Sequence, residues 1–283
     1  WDIKKTIEDY TIKLAKALKT VGLFNIQFVI DKSGKVYVIE VNPRASRTIP
    51  IMSKITGIPM VNVATKLILG RTLRELGYKP GLASETEFTA VKAPVFSFSK
   101  LITVDTYLGP EMKSTGEVMG IDKDYYHALY KAFIASGLFL PRGGSVLIAA
   151  GIRDKDDCIK IATRFISLGF SLLAAEDTHH YLNAAGLNVK LVQCDELLDC
   201  VKGDAVSLVI STPAKGGISG KMGYSLRRTS MEYNTPCLSS LDTATAVLEV
   251  LEHMADVNDV SVYALDEYSM GNIPEQGLQL AGI

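Results

Sequence analysis

The stretch Val38-Ile39-Glu40-Val41-Asn42-Pro43-Arg44-Ala45-Ser46-Arg47-Thr48 gathers a carboxylate, an amide oxygen and two guanidinium groups at the end of one strand. Strand side chains alternate faces, so Glu40 and Asn42 point one way while Ile39 and Val41 point into the opposite layer. Two hard oxygen donors then converge on one spot. Magnesium takes a carboxylate or two together with nucleotide phosphate oxygens, and guanidinium forks such as Arg44 and Arg47 hold further phosphate oxygens. The chemistry these residue types suit is a nucleotide phosphate site.

The preceding residues extend it. Leu23 to Asp31 reads as a strand, Lys32-Ser33-Gly34-Lys35 as its turn and Val36 to Asn42 as the returning strand, a β-hairpin. With Asp31 opposite Val36, Gln27 falls opposite Glu40, and Gln27, Glu40 and Asn42 share a face. The alternative is structural: an ion pair between Glu40 and Arg44 at a sheet end, with Gln27 a solvated strand residue.

The elements that must position these groups follow from periodicity. Ile3, Ile7, Tyr10, Leu14, Leu18 and Val21 recur at three and four, a helix with one buried stripe that Gly22 is placed to end. Pro59 precedes an apolar run, Met60 to Leu69, closed by Gly70, and Thr72 with Glu75 has the spacing of a capping box for a short third helix. Thr89 to Phe96 reads as a strand. Ser114-Thr115-Gly116-Glu117 reads as a phosphate-facing turn or, preferably, a helix cap. A helix from Asp122 to Ser136, with Tyr126, Leu129, Tyr130 and Phe133 inward, stops at Gly137. Pro141-Arg142-Gly143-Gly144 marks a boundary between domains 1–140 and 141–283.

Beyond it, short apolar strands alternate with helices, which predicts a doubly wound parallel sheet and makes the whole chain α/β. Strands are expected at Ser145 to Ala150, Phe170 to Ala174, Val189 to Val192, Ala205 to Ser211 and Pro236 to Ser239. Helices are expected at Asp156 to Leu168, Thr178 to Ala185, Asp195 to Val201 and Leu241 to Ala255. Ligands of such sheets bind beyond the carboxyl ends of the strands, which selects loops 151–155, 175–178 and 212–223. The last holds Lys215, Gly216, Gly217, Gly220 and Lys221, a basic loop able to close over an anion or simply a surface loop.

The chain has 283 residues, 47% apolar and 22% charged, an ordinary globular composition sized for about two domains. A net charge of -1 and the lack of a basic stripe interleaved with aromatics argue against a nucleic-acid partner. No apolar run approaches the roughly 20 residues that span a bilayer, and the N-terminus is a charged amphipathic segment rather than a signal peptide, so a cytoplasmic protein without a membrane partner is expected. Cys158, Cys194, Cys200 and Cys237 form no Cys-x-x-Cys pair, and the histidines have no zinc spacing.

These residues carry a resemblance. The run from Gly22 to Pro59 resembles the C-terminal part of an ATP-grasp domain, specifically that of the carbamoyl-phosphate synthetase large subunit. Glu-x-Asn-Pro-Arg occurs broadly among ATP-grasp ligases; Val41 to Thr48 followed by Ser53-Lys54, Thr56-Gly57 and Pro59 is narrower. So is Leu108-Gly109-Pro110-Glu111-Met112-Lys113-Ser114-Thr115-Gly116-Glu117-Val118-Met119-Gly120. The resemblance implies the end of the second, carbamate-phosphorylating ATP-grasp half (α+β, an antiparallel hairpin with helices), then a methylglyoxal-synthase-like regulatory domain from Ser145 onward. It implies magnesium or manganese on Gln27, Glu40 and Asn42, ATP phosphates reached through Gln27 and Glu40, and phosphate or carbamate contacts from Arg44 and Arg47. Phosphoryl transfer of this kind depends on positioning and charge neutralisation rather than on a protein nucleophile. The upstream slices of such a site are not in this sequence and no P-loop replaces them, so the chain is expected to be a fragment, inactive without the remainder of the large subunit and its glutamine-hydrolysing small subunit.

The resemblance also implies a small-molecule effector: a nucleotide, ornithine or N-acetylglutamate. Lys155 and Thr178 match phosphate-contacting positions, and Thr212 lies at the end of the fourth strand. Ala175 replaces an expected threonine, Cys194 replaces a lysine, and Ser211-Thr212-Pro213 replaces Asn-Thr-Thr. Each change removes a donor from a site built on several charge-assisted bonds. Of the residues for ornithine, Glu117 is retained and a tyrosine is replaced by Cys237. The expectation is an effector domain of altered, weakened or lost specificity. The alternatives are an effector-binding regulatory module without catalysis and a different ATP-grasp carboxylate ligase.

Overall fold

Asp2 caps the first helix, its carboxylate accepting from Lys5 N at 3.2 Å, and α1 runs Ile3–Ala17. The helix does not reach Gly22: Leu18 caps it and Lys19 turns to a φ of 50°. Of the expected buried stripe, Ile3, Ile7, Tyr10 and Leu14 are half-buried, while Leu18 and Val21 are exposed. The structure, a computed structural model, describes residues 2–101, 104–109, 111–213, 217–254, 260–269 and 278–279. It divides into two units, Trp1–Phe88 with Val262–Leu278, and Thr89–Ser261 with Gln279–Ile283.

In the first unit α1 is followed by the antiparallel strands β1 (Asn25–Ile30) and β2 (Val36–Asn42), then α2 (Thr48–Thr56) and α3 (Met60–Ile68). Helix α2 was not among the expected elements, and it carries Pro50. The proline stands in the first turn, where a helix needs no backbone donor. Gly57 then ends α2 with a φ of +69°. Thr72 and Glu75 do exchange capping bonds, Thr72 N to Glu75 Oε2 at 2.8 Å and Glu75 N to Thr72 Oγ1 at 3.3 Å, but they close a single turn rather than the expected third helix. Among the described residues of this unit only Val36, Ile51, Ala64 and Tyr268 are buried apolar side chains, while Val29, Ile30, Tyr37, Val38 and Ile39 stand exposed on the hairpin.

The second unit opens with an antiparallel ribbon of β3 (Thr89–Val95) and β4 (Gly116–Asp122), Thr89 pairing with Asp122 and Val95 with Gly116. Ser114-Thr115-Gly116-Glu117 therefore enters a strand and caps no helix; Thr115 N donates to Val95 O at 2.8 Å. Helix α4 (Tyr125–Ala135) is capped by Asp124, which accepts from Tyr126 N and His127 N.

The chain then alternates through β5 (Ser145–Ala149), a 3₁₀ turn (Ile152–Asp154), α5 (Lys155–Ser167), β6 (Ser171–Ala175), α6 (Glu176–Ala184), β7 (Lys190–Val192), α7 (Leu197–Lys202), β8 (Leu208–Ser211), α8 (Gly217–Glu232), β9 (Cys237–Leu238) and α9 (Leu241–His253). The five strands form a parallel sheet in the order β7-β6-β5-β8-β9. Side chains alternate between two cores, as the strand period requires. Val146, Ile148, Leu208 and Ile210 pack with α4, α5 and α9 on one face, and Leu147 and Val209 with α7 and α8 on the other. The basic segment expected as a loop over 212–223 is helical from Gly217 onward. Lys215, Gly216 and Pro110 lie outside the described residues. The remaining elements are β10 (Ser261–Val262), α10 (Leu265–Ser269) and β11 (Leu278–Gln279), with β10 paired to β11. No helix among the described residues is long and apolar enough to cross a membrane.

Candidate functional site

The hairpin places its polar residues through a bulge. Ile30, not Asp31, pairs with Val36; the ladder continues to Phe28 opposite Val38, then skips Ile39, so that Gln27 falls opposite Glu40 and Asn25 opposite Asn42. Asp31 belongs to the turn instead, where its Oδ1 accepts from Ser33 N at 2.8 Å, Ser33 Oγ at 2.6 Å and Lys35 N at 3.0 Å. The bulge compensates the one-residue difference and restores the expected pairing. Gln27, Glu40 and Asn42 share one face, and Asn25 joins them. Sequence reading passed over Asn25, although its position two residues before Gln27 was the signal.

Asn42 Nδ2 donates to Glu40 Oε1 at 2.9 Å, which turns the amide oxygen of Asn42 away from the carboxylate. Arg44 N donates to Asn42 O at 2.8 Å and Arg44 Nη1 to Ala45 O at 3.0 Å. Arg44 makes no ion pair with Glu40, while Gln27 is exposed, as the structural alternative has it. Arg47 stands at the N-cap of α2, three residues past Arg44. Among the described residues no group of three or more His, Cys, Asp or Glu side chains is arranged so that it could hold a metal ion by itself. The hairpin thus offers one carboxylate and several amide oxygens on an open face, a partial donor set rather than a closed cage. Ile39, expected in the opposite layer, is 58% exposed.

The parallel sheet has its switch point between β5 and β8, because the chain leaves β5 toward β6 and leaves β8 toward β9. Two predicted threonines meet there. Thr212 Oγ1 accepts from Gly151 N at 3.1 Å, bridging the two strand ends. Thr178 Oγ1 accepts from Ala150 N at 3.0 Å and donates to Ala150 O at 3.1 Å, fixing the exit of β5 from the α6 side. Thr178 is 1% exposed and Thr212 7%. Lys155 stands exposed at the first position of α5. The first turns of α5 and α6 carry Asp156, Asp157, Glu176 and Asp177. Glu117 lies apart from this cluster, on β4 beside Lys92, with Nζ to Oε1 3.5 Å.

Residues 2–76 match the family model for the carbamoyl-phosphate synthase L chain, ATP binding domain, and residues 157–239 match the MGS-like domain. The chain therefore joins part of an ATP-binding domain, carrying antiparallel hairpins, to an MGS-like domain built on a five-stranded parallel sheet. It is homologous to the carbamoyl-phosphate synthase large chain. The large chains of Thermoanaerobacter sp. (strain X514) and Caldanaerobacter subterraneus subsp. tengcongensis are each 46% identical over 263 residues, 93% of this chain but 24% of the relative. The chain thus spans about a quarter of the length of these relatives. The crystal structure of methylglyoxal synthase from Elizabethkingia anophelis NUHP1 covers 48% of this chain and 97% of its own, at 19% identity and a TM-score of 0.34.

Proposed function

We propose that the hairpin supplies part of an ATP phosphate site in a carbamoyl-phosphate synthase, an ATP-dependent ligase that joins bicarbonate, glutamine-derived ammonia and ATP. Its role would be in the step that phosphorylates carbamate. The observation that carries this is the Gln27–Glu40 pairing with Asn42 on the same face. Hard oxygen donors of this kind fit magnesium or manganese, and a single carboxylate fits a metal that also draws on nucleotide phosphate oxygens. When bound, the metal would offset charge on those phosphates. Gln27, Glu40 and Asn42 would hold it, Glu40 being oriented by the Asn42 amide, while Arg44 and Arg47 would grip phosphate or carbamate oxygens in their planar forks. The exposed apolar hairpin supports a reading in which the site is completed by the remainder of the large chain and works with a glutamine-hydrolysing subunit, in the cytoplasm. The test is to mix this chain with a separately produced upstream ATP-grasp segment. ATP-dependent carbamoyl phosphate formation by the mixture, absent with Glu40→Gln, supports the reading; turnover by this chain alone, or silence of the mixture, contradicts it.

A second reading concerns the parallel sheet, and the hydroxyls at its switch point favour it. In this reading Lys155, Thr178 and Thr212 would meet an effector, and Glu117 would be the residue retained for an amine such as ornithine. Both threonine hydroxyls already serve the exit of β5, and acidic first turns oppose an anion at the helix N-termini. Domain 141–283 is therefore read as an effector domain weakened for nucleotides. Calorimetry with UMP, IMP, ornithine and N-acetylglutamate tests it; tight, saturable UMP or IMP binding would contradict it.

A further inference from the structure

Helix α8 starts just beyond the switch-point residue Thr212 and carries two consecutive, buried arginines, Arg227 (4% exposed) and Arg228 (9%). Both reach a distant part of the chain. Arg227 grips Asp105 with two bonds, Nε to Oδ1 at 2.9 Å and Nη2 to Oδ2 at 2.6 Å. Arg228 Nη1 donates to Phe98 O at 3.0 Å and Leu101 O at 3.2 Å, while its Nε donates to Glu232 Oε1 at 2.8 Å. Lys113 Nζ donates to the carbonyls of Asp105 and Tyr107 at 3.2 and 2.7 Å. On the other side, Arg227 Nη1 lies 3.4 Å from Oγ of Ser211, the last residue of β8. A Cβ at Gly223 would stand 3.2 Å from Arg227 Nη1, so the glycine leaves the guanidinium its room.

A buried, bidentate arginine–carboxylate pair leaves little slack, because separating its members strands a charge in the interior. Residues 98–113 precede β4 and hold the first six residues of the Leu108–Gly120 motif, which the hairpin site does not use. Arg227 thus joins the end of β8, next to Thr212, to Asp105, while Arg228 beside it holds the carbonyls of Phe98 and Leu101.

We propose that the Arg227–Arg228 turn of α8 is a coupling point, through which the state of the switch-point crevice sets the position of residues 98–101 and 104–109, with Arg227 and Asp105 as the positioning pair. The proposal rests on reading the parallel-sheet domain as regulatory and supplies that domain with an output. The coupling is reciprocal by thermodynamic necessity, so it can be read from either end without any ligand.

The experiment is hydrogen–deuterium exchange on the full chain, comparing wild type, Thr212→Val, Asp105→Asn and the double variant. Thr212→Val, which removes the acceptor for Gly151, is expected to speed exchange across 98–109 at least about fivefold, and Asp105→Asn to speed exchange in 150–155 by a similar factor. In the double variant the two effects should fall short of additive. Increases confined to each variant's own neighbourhood would overturn the proposal. Asp105→Glu, which keeps the charge and alters the reach, gives the same comparison if Asp105→Asn is too unstable to label. Because no effector is added, a negative result here leaves the effector reading to be judged separately by calorimetry.

Discussion

Gln27 stands directly across the β1–β2 ladder from Glu40, with Ile39 left unpaired beside the carboxylate. The bulge decides which face the carboxylate occupies, since strand side chains alternate. Deleting Ile39 should return β2 to a regular ladder while leaving Gln27 opposite Glu40 and Asn25 opposite Asn42. We expect such a variant to retain the far-UV circular dichroism of wild type and its ATP use when mixed with an upstream segment. Lost ATP use in a folded variant would show that the pairing alone does not set the site.

Gly120 ends the Leu108–Gly120 motif for a packing reason. A Cβ there would lie 2.0 Å from Ala128 O and 2.5 Å from Ala132 N, both backbone atoms of α4. Backbone cannot step aside as a flexible side chain can, so Gly120→Ala should cost about 3 kcal/mol or more, read by chemical denaturation. Gly109→Ala, with nothing within 4 Å, should be nearly silent on packing grounds.

Asp105 titrates low. Burial pushes its carboxyl up, but the Arg227 guanidinium and the Tyr107 amide outweigh that and hold it below the ordinary 3.8. A depressed folded pKa means the pair contributes its stability above about pH 4 and loses it as the pH falls through the folded value. Asp105→Asn should therefore lower stability by about 2–3 kcal/mol at pH 7, somewhat less than a fully buried pair because Asp105 is partly exposed. The difference from wild type should shrink in melting curves near pH 3. An equal difference at both pH values would mean the loss is not electrostatic.

Three of the four cysteines should separate by reactivity. Cys194 is exposed, whereas burial raises the thiol of Cys158 and pushes that of Cys237 up to about 12. The thiolate is the reactive form, so a maleimide at neutral pH should label Cys194 in the native protein and reach Cys158 and Cys237 only after unfolding. Rapid native labelling of Cys237 would contradict the packing around β9.

The parallel sheet was legible because its strands are short apolar runs between helical stretches, and four of its helices, from Lys155–Ser167 to Leu241–His253, fall near their expected places. Helix α8 was not legible: Gly217, Gly220 and Gly223 read as loop, and the tertiary partners of Arg227 and Arg228, more than 120 residues away in sequence, leave no local signal. At the hairpin, pairing of Gln27 with Glu40 was legible from the period of 2, but the route to it was not. Asp31 was counted into the ladder when its side chain is spent on the turn, and no residue type announced the bulge at Ile39.

The proposed role of Gln27, Glu40 and Asn42 is to hold the divalent metal of bound nucleotide, and electron paramagnetic resonance of manganese can read that contact. The measurement is a manganese–ADP titration of this chain mixed with its upstream ATP-grasp segment, wild type against Glu40→Gln. If these residues hold the metal, manganese leaves the free pool on mixing, and Glu40→Gln weakens that uptake about tenfold or more. Equal uptake by both proteins would place the metal elsewhere and contradict the proposed site.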